Sequence, residues 1–336
     1  MLDVHGVTDD LPANLRLALR IELSVIPPYL YALWSIRTPA EGAGWAATQA
    51  AAAIRSVVYE EMLHAALVVN LLHALGEDVT ELAPMRYPGI LPGHVVSGPD
   101  AFTVTLRPLD RDALSVFMTI EKPDFDGPSA GAGAPWTSLA AFYARIREQI
   151  QQLTDKDFGH GRQMQPSGNP GAGTLVAVSN RETADEAVRM ILLQGEGSPP
   201  DPDGTDPSGE LDGDHEVAHY YQFQTIDGYV AGLNPAAIIT PVRDLHAVVA
   251  DPHRDLYSAE QRTADDAFNA TYAQMLAELL AAFKDPSPQP FGRPSESMRR
   301  LTAQAAWLRS LGPVISPRGQ SLVAGPTFDP GTGEGL

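Results

Sequence analysis

The segment "EMLH", Glu61 to His64, sets a carboxylate and an imidazole one helical turn apart inside the apolar stretch "VVYEEMLHAALVVNLLHAL". On a helix, residue i touches i±3 and i±4. Glu61 is therefore neighboured by Val57, Val58, His64 and Ala65, so Glu61 and His64 share one inward face. Burying such groups is costly unless something pairs with them. The same test puts Glu22 within a core-facing stripe of Ala18, Leu19, Val25 and Ile26. Glu196 follows Leu192 and Leu193 on the stripe of its own helix, and "EVAH", Glu216 to His219, repeats the E-x-x-H spacing. Glu148 fails the test, because Ala144, Arg145, Gln151 and Gln152 make a solvent face, and Glu60 lies off the stripe.

The chemistry accounts for the residue types. Two divalent cations a few ångströms apart need bridging carboxylates to offset their charge, and neutral imidazole suits iron and manganese. E-x-x-H supplies a bridging carboxylate and a terminal nitrogen from one helix face. Glu22, Glu61, His64, Glu196, Glu216 and His219 thus form a candidate set of six ligands for two metals, iron first and manganese second. Glu216, next to an acidic loop, reads equally as an exposed acid at a helix start. Tyr31, Tyr59, Tyr220 and Tyr221 lie near these helices and read as packing residues or as hydrogen-bonding partners of the centre. His73, at the end of its helix, reads as structural.

Composition narrows the rest. With no cysteine among 336 residues, thiolate metal sites, disulfides and cysteine nucleophiles are excluded, and any metal is held by His, Asp or Glu. A formal charge of −19 disfavours nucleic acid and anionic lipid surfaces. No apolar run spans a membrane and no leader is legible, so a cytoplasmic location is expected. Glu196 to Glu216 holds eight acids and no Lys or Arg, which reads as a solvated loop. Its "DPDGTD" lacks the full ligand spacing of a calcium loop.

The elements that must position the ligands are helices. Apolar residues recur at three and four from Pro12 to Ile36, with Asp9 and Asp10 ahead of Pro12 and a kink expected at Pro27 and Pro28. A second helix is predicted from Gly44 to Leu75, capped by Gly76. A proline-rich crossover follows over 77–107, containing a β-like "AFTVTL". Further helices are predicted over Asp110–Ile120, Ser138–Leu153, "TADEAVRMILLQGEG", "DHEVAHYYQF", Ala259–Lys284 and Ser295–Leu311. Long helices without βαβ alternation predict an all-α bundle with long crossovers, divided as a di-metal bundle over 1–235 and a C-terminal helical extension over 236–336.

The motifs "IELSVIPPYLYALWSI", "EEMLHAALVVNLL", "YPGILPG", "FMTIEKPD", "AAFYARI", "QGEG" and "HYYQF" run in order from about residue 12 to 225. In these the chain resembles the ferritin-like domain associated with the iminophenyl-pyruvate dimer synthases of bisindole pigment pathways, such as violacein and rebeccamycin biosynthesis. The resemblance implies a ferritin-like bundle and places Glu22, Glu61, His64, Glu196 and His219 on the family's motif acids and histidines. Glu121, in "TIEKP", also falls on a motif position, where ordering the crossover is the alternative to binding metal. Gln222 stands where the pattern has an arginine between the aromatics, which weakens an anionic-substrate contact there. The family's name comes from much longer multidomain synthases, so fold and metal site are implied before imine dimerisation is.

The functional expectation is a non-haem di-metal oxidoreductase of specialised metabolism. Two ferrous ions would use dioxygen to oxidise a small organic substrate, an aromatic amino acid or its imine. Electrons would come from a reductase or from the substrate, and a pocket would be shaped by Pro27, Pro28 and the loop after Glu196. In this expectation Glu61 and Glu216 bridge, Glu22 and Glu196 are terminal, and each histidine holds one metal. A homo-oligomer is compatible with this reading. The alternatives are a ferroxidase or metal-binding protein without organic substrate, a manganese site with catalase-like chemistry, and a non-catalytic interaction domain.

Overall fold

The structure, a computed structural model, describes residues 9–94, 103–123, 138–164, 174–195, 217–285, 292–316 and 318–331. Two long helices form its spine. Helix α1 covers Leu11–Ser35 and α2 covers Trp45–Ala74, and the two pack along each other. Both are apolar on more than one side because each is enclosed by other helices. Gly76, just past α2, takes φ of 80°, a left-handed conformation that lets the chain leave the helix without a Cβ clash.

Helix α1 continues through Pro27 and Pro28. Each proline removes a backbone donor, and Pro28 leaves the carbonyl of Ser24 without its helical partner. The Tyr87 hydroxyl donates to that carbonyl at 2.5 Å, so a side chain of the crossover replaces the lost bond. The expected β-like segment contributes one antiparallel bridge, Gly89 to Val104, among the described residues; residues 95–102 lie outside them.

Shorter helices complete the ring around the spine: α3 (Arg111–Ile120), α4 (Leu139–Gln151), α5 (Arg181–Gln194) and α6 (His219–Ala231). The first three begin at side-chain caps. Asp110, Ser138 and Asn180 accept from the amides of Ala113, Ala141 and Thr183, satisfying donors the helix itself cannot. Helix α5 ends at Gln194 and α6 starts at His219.

A one-turn helix, α7 (Pro241–Asp244), precedes the long α8 (Ala259–Lys284) and α9 (Gly292–Ser310), and a two-stranded hairpin follows (β1, Pro313–Ile315; β2, Ser321–Val323). Helices α8 and α9 and the segment after the hairpin share the core of the bundle, whereas Val314 of the hairpin packs in a smaller cluster with Tyr257 and Leu308. Phe328 stacks on Trp34 of α1 at 5.7 Å and meets Phe268 and Tyr272 of α8 edge-on. Pro27 lines an apolar cavity together with Leu23, Met62, Met275, Phe283 and Phe328. That cavity is walled by α8 and α9 against α1 and α2; Pro28 is not among its lining residues, and the loop after Glu196, the other wall expected of a substrate pocket, lies outside the described residues. Among the described residues no helix is long and apolar enough to cross a membrane.

Phe328 is buried and touches three aromatic rings, so truncation leaves a cavity with no side chain able to fill it. Phe328→Ala is expected to cost about 3–5 kcal/mol, read from the denaturant midpoint. A loss below about 1 kcal/mol would show that the tail is not part of the core.

Candidate metal centre

Five potential ligands converge between the helices. Glu22 comes from the middle of α1, Glu61 and His64 from α2, Glu121 from the C-cap of α3, and His219 from the first residue of α6. None is more than 3% exposed, so the carboxylates and imidazoles face one another rather than water. They fall into two groups, Glu22–Glu61–His64 and Glu61–Glu121–His219, with the donor atoms of each group within 4.8 Å of one another.

Glu61 belongs to both groups and divides its oxygens between them. Oε1 lies 3.0 Å from Nδ1 of His219, and Oε2 lies 3.6 Å from Nδ1 of His64. The terminal carboxylates follow one pattern. Oε2 of Glu22 lies 3.5 Å from Nδ1 of His64, while the Tyr143 hydroxyl donates to its Oε1. Oε2 of Glu121 lies 3.5 Å from Nδ1 of His219, while the Tyr29 hydroxyl donates to its Oε1. Tyr29 is itself held edge-on against Phe117 at 4.7 Å and tilted against Phe223 at 5.1 Å. The two imidazoles stack with centroids 5.5 Å apart.

Behind the rings the second nitrogens are also engaged. Nε2 of His219 lies 2.9 Å from Oε2 of Glu60, and Nε2 of His64 lies 3.1 Å from Oε1 of Gln194. An acceptor at Nε2 puts the proton there and turns the Nδ1 lone pair toward the carboxylates. Nδ1 of His219 is buried without a hydrogen bond although Glu61 is 3.0 Å away. Lone pairs facing lone pairs at this range require a positive centre between them. Separations of about 3.0–3.5 Å are those of donors sharing one cation at bonds of about 2.1 Å. The donor set of carboxylates and imidazoles therefore fits two divalent metals.

With protons in place of metal, the groups compensate each other. Burial, with Glu61 adding to it, lifts the Glu22 carboxyl to about 7 against the opposing contact of His64. Burial acts downward on His64, but Glu22 and Glu61 outweigh it and lift the imidazole to about 10. His219 is likewise held well above the ordinary imidazole value: burial lowers it, and Glu121, Glu60 and Glu61 more than reverse that. Glu61 moves the other way. Burial and Glu121 push it up, but its contacts with both histidines outweigh them and hold it below the ordinary carboxylate value.

Of the residues selected from sequence, the structure brings Glu22, Glu61, His64 and His219 together. Glu196 and Glu216 lie outside the described residues, as does the "DPDGTD" loop. Helix α5 is described to Gln194 and α6 from His219, so the helical spacing that points to those two residues runs beyond the described elements. Glu148 is exposed and paired with Arg145 at 3.1 Å. Glu121, which spacing passed over and the family motif pointed to, lies with Glu61 and His219 in the second group. It follows Leu114 and Phe117 by seven and four positions, so the neighbour test applied to the turn before it would have found its buried face. Glu60, off the stripe by spacing, is buried behind His219.

Among the described residues, the tyrosine hydroxyls that reach the outer carboxylates are those of Tyr29 and Tyr143. Tyr31 instead donates to the carbonyl of Val249, Tyr59 is exposed, and Tyr220 and Tyr221 pack edge-on against each other. Gly195 closes one side: a Cβ there would lie 3.1 Å from the Ile191 carbonyl and 3.5 Å from Oε2 of Glu121.

The Ferritin-like family model matches residues 15–228, which contain every one of these side chains. The chain belongs to the ferritin-like family. A 2-imino-3-(indol-3-yl)propanoate dimerase of Chromobacterium violaceum is 26% identical over 93% of this chain, and the chain spans 32% of that protein's length. A solved ferritin-like protein from Caulobacter vibrioides shares the fold, with a TM-score of 0.64 over 90% of this chain and 95% of that one at 23% identity.

The proton balance predicts how the chelator-treated protein responds to pH. Glu22 (ordinary value 4.5, about 7 here) and His64 (6.5, about 10 here) both hold more protons folded than unfolded. The His64 contribution is complete below its unfolded pKa and is lost as pH rises through the folded one; Glu22 acts in the same sense at lower pH. The melting temperature of the metal-free chain is therefore expected to fall between about pH 6 and 9. A flat or rising profile in a thermal melt series would contradict this proton balance.

Proposed function

We propose that this ferritin-like protein is a non-haem di-metal oxidoreductase, with iron at both positions, that uses dioxygen on a small organic substrate. The observation that carries the reading is the division of Glu61's two oxygens between two histidine–carboxylate groups. A carboxylate with one oxygen on each side suits a bridge between two cations. When bound, two such irons supply the redox chemistry toward dioxygen.

In this reading each residue has a defined task. His64 and His219 would each hold one metal through Nδ1. Glu22 and Glu121 would hold the outer sides through Oε2, while the hydroxyls of Tyr143 and Tyr29 keep their other oxygens occupied. Phe117 and Phe223, packed around Tyr29, keep bulk water from that side. Glu196 and Glu216 are kept in this proposal as further ligands; they lie on the segment that joins α5 to α6. Gly195 closes the Glu121 side of the centre with its backbone alone, since a Cβ there would lie 3.5 Å from Oε2 of Glu121.

For the substrate we propose an aromatic amino acid or its imine. The support is the likeness to the indolyl imine dimerase of Chromobacterium violaceum, whose name carries such a substrate. Electrons then come from the substrate or from a separate reductase.

Anaerobic iron loading of the wild type, Glu61→Ala and His64→Ala tests the centre. About two irons per wild-type chain are expected, with loss of the pair in both variants. Adding small aromatic amino acids and imines to the loaded wild type is expected to shift its optical spectrum. No iron in a folded wild type would sink the enzyme reading. Two irons without any substrate response would favour iron handling instead.

A further inference from the structure

The two halves of the centre are alike where they face the cations and unlike behind them. In front, each half has one imidazole Nδ1, one oxygen of Glu61, and one outer carboxylate tethered by a tyrosine. Behind, Nε2 of His219 meets the carboxylate of Glu60 at 2.9 Å, whereas Nε2 of His64 meets the amide oxygen of Gln194 at 3.1 Å. One ring is backed by an acid and the other by a neutral group. Glu60 is 3% exposed and Gln194 is also 3% exposed, so water does little to level that difference.

A carboxylate behind a ligating imidazole does two things. It fixes the tautomer and the ring plane, and it raises the electron density at the nitrogen facing the metal. An amide oxygen does the first and much less of the second. The asymmetry also sits where the geometry is tightest, since Nδ1 of His219 lies 3.0 Å from Glu61 and that of His64 lies 3.6 Å away. Glu60 and Glu61 are consecutive on α2, so one helix turn delivers the bridging acid to the front of the His219 ring and its neighbour to the back.

We propose that the centre fills in a fixed order: the His219 half binds its cation first and more tightly, and Glu60 is the positioning residue that makes it so. This rests on the two-metal reading above and adds the inequivalence of the two positions. Mutating a partner behind a ligating histidine costs about 10- to 100-fold in metal affinity; because Gln194 still fixes the His64 ring, the two steps are expected to differ by the lower end of that range, about tenfold.

The test is a Mn2+ titration of the full chain, cleared beforehand with chelator, following the free ion by EPR. Wild type should bind two Mn2+ in separate steps. His64→Ala should keep the tight step and lose the weak one, and His219→Ala the reverse. Glu60→Gln should weaken the tight step by about tenfold or more. The Gln194→Glu change, placing an acid behind His64, should tighten the weak step, which a purely structural role for these positions would not produce. Far-UV circular dichroism and melting of each metal-free variant establish that it folds. Two equal steps in wild type, or a Glu60→Gln titration identical to it, would overturn the ordered filling while leaving the two-metal reading intact. No Mn2+ bound by folded wild type would overturn both.

Discussion

The structure depends on one costly placement: the carboxylate of Glu61, almost fully buried, with a histidine on each of its oxygens. A lone ionised acid in such a place would have to give up its charge or be compensated. Compensation dictates the surroundings. Each oxygen needs a positive centre, each positive centre needs further donors, and those donors must be buried too. Glu22 and Glu121 follow from Glu61 in this sense, and Tyr143 and Tyr29 follow from them.

Helical geometry makes the arrangement affordable. The middle of a long helix is the stiffest place to hold a side chain, and α1 and α2 present Glu22, Glu61 and His64 from there. The other two candidate ligands come from helix ends, Glu121 at the close of α3 and His219 at the opening of α6. Those ends are pinned by other contacts. Tyr29 of α1 packs against Phe117 of α3 and Phe223 of α6 and also donates to Glu121, so one residue ties both ends to the spine. The backbone amide of Tyr220 donates to the carbonyl of Gly195, which joins α5 to the start of α6.

Much of this was legible in the sequence, and the boundary of legibility has a physical cause. Glu22, Glu61 and His64 lie mid-helix, where three-and-four spacing is a sound guide to facing direction, and the helical bundle itself follows from the same periodicity. Glu121 lies at a C-cap, where there is no following turn to supply half of its neighbours. Glu60 sits one position from Glu61, some 100° around the helix, and spacing alone does not reveal that a histidine from another helix lies behind it. Tyr29 and Tyr143 were invisible for a similar reason. Their partners are 92 and 121 residues away, and no local pattern records that. His219 was selected through a helical repeat that the start of α6 does not include, yet it stands in the centre, brought there by the packing of α6 against α2 and α3.

The central claim is that Glu61 bridges two cations, one oxygen to each. Anomalous diffraction from a crystal of the full chain loaded with Mn2+ tests it most directly. Two peaks are expected about 3.5–4 Å apart astride Glu61, one against His64 and Glu22 and the other against His219 and Glu121. A single peak, or two peaks with Glu61 on neither, would contradict it.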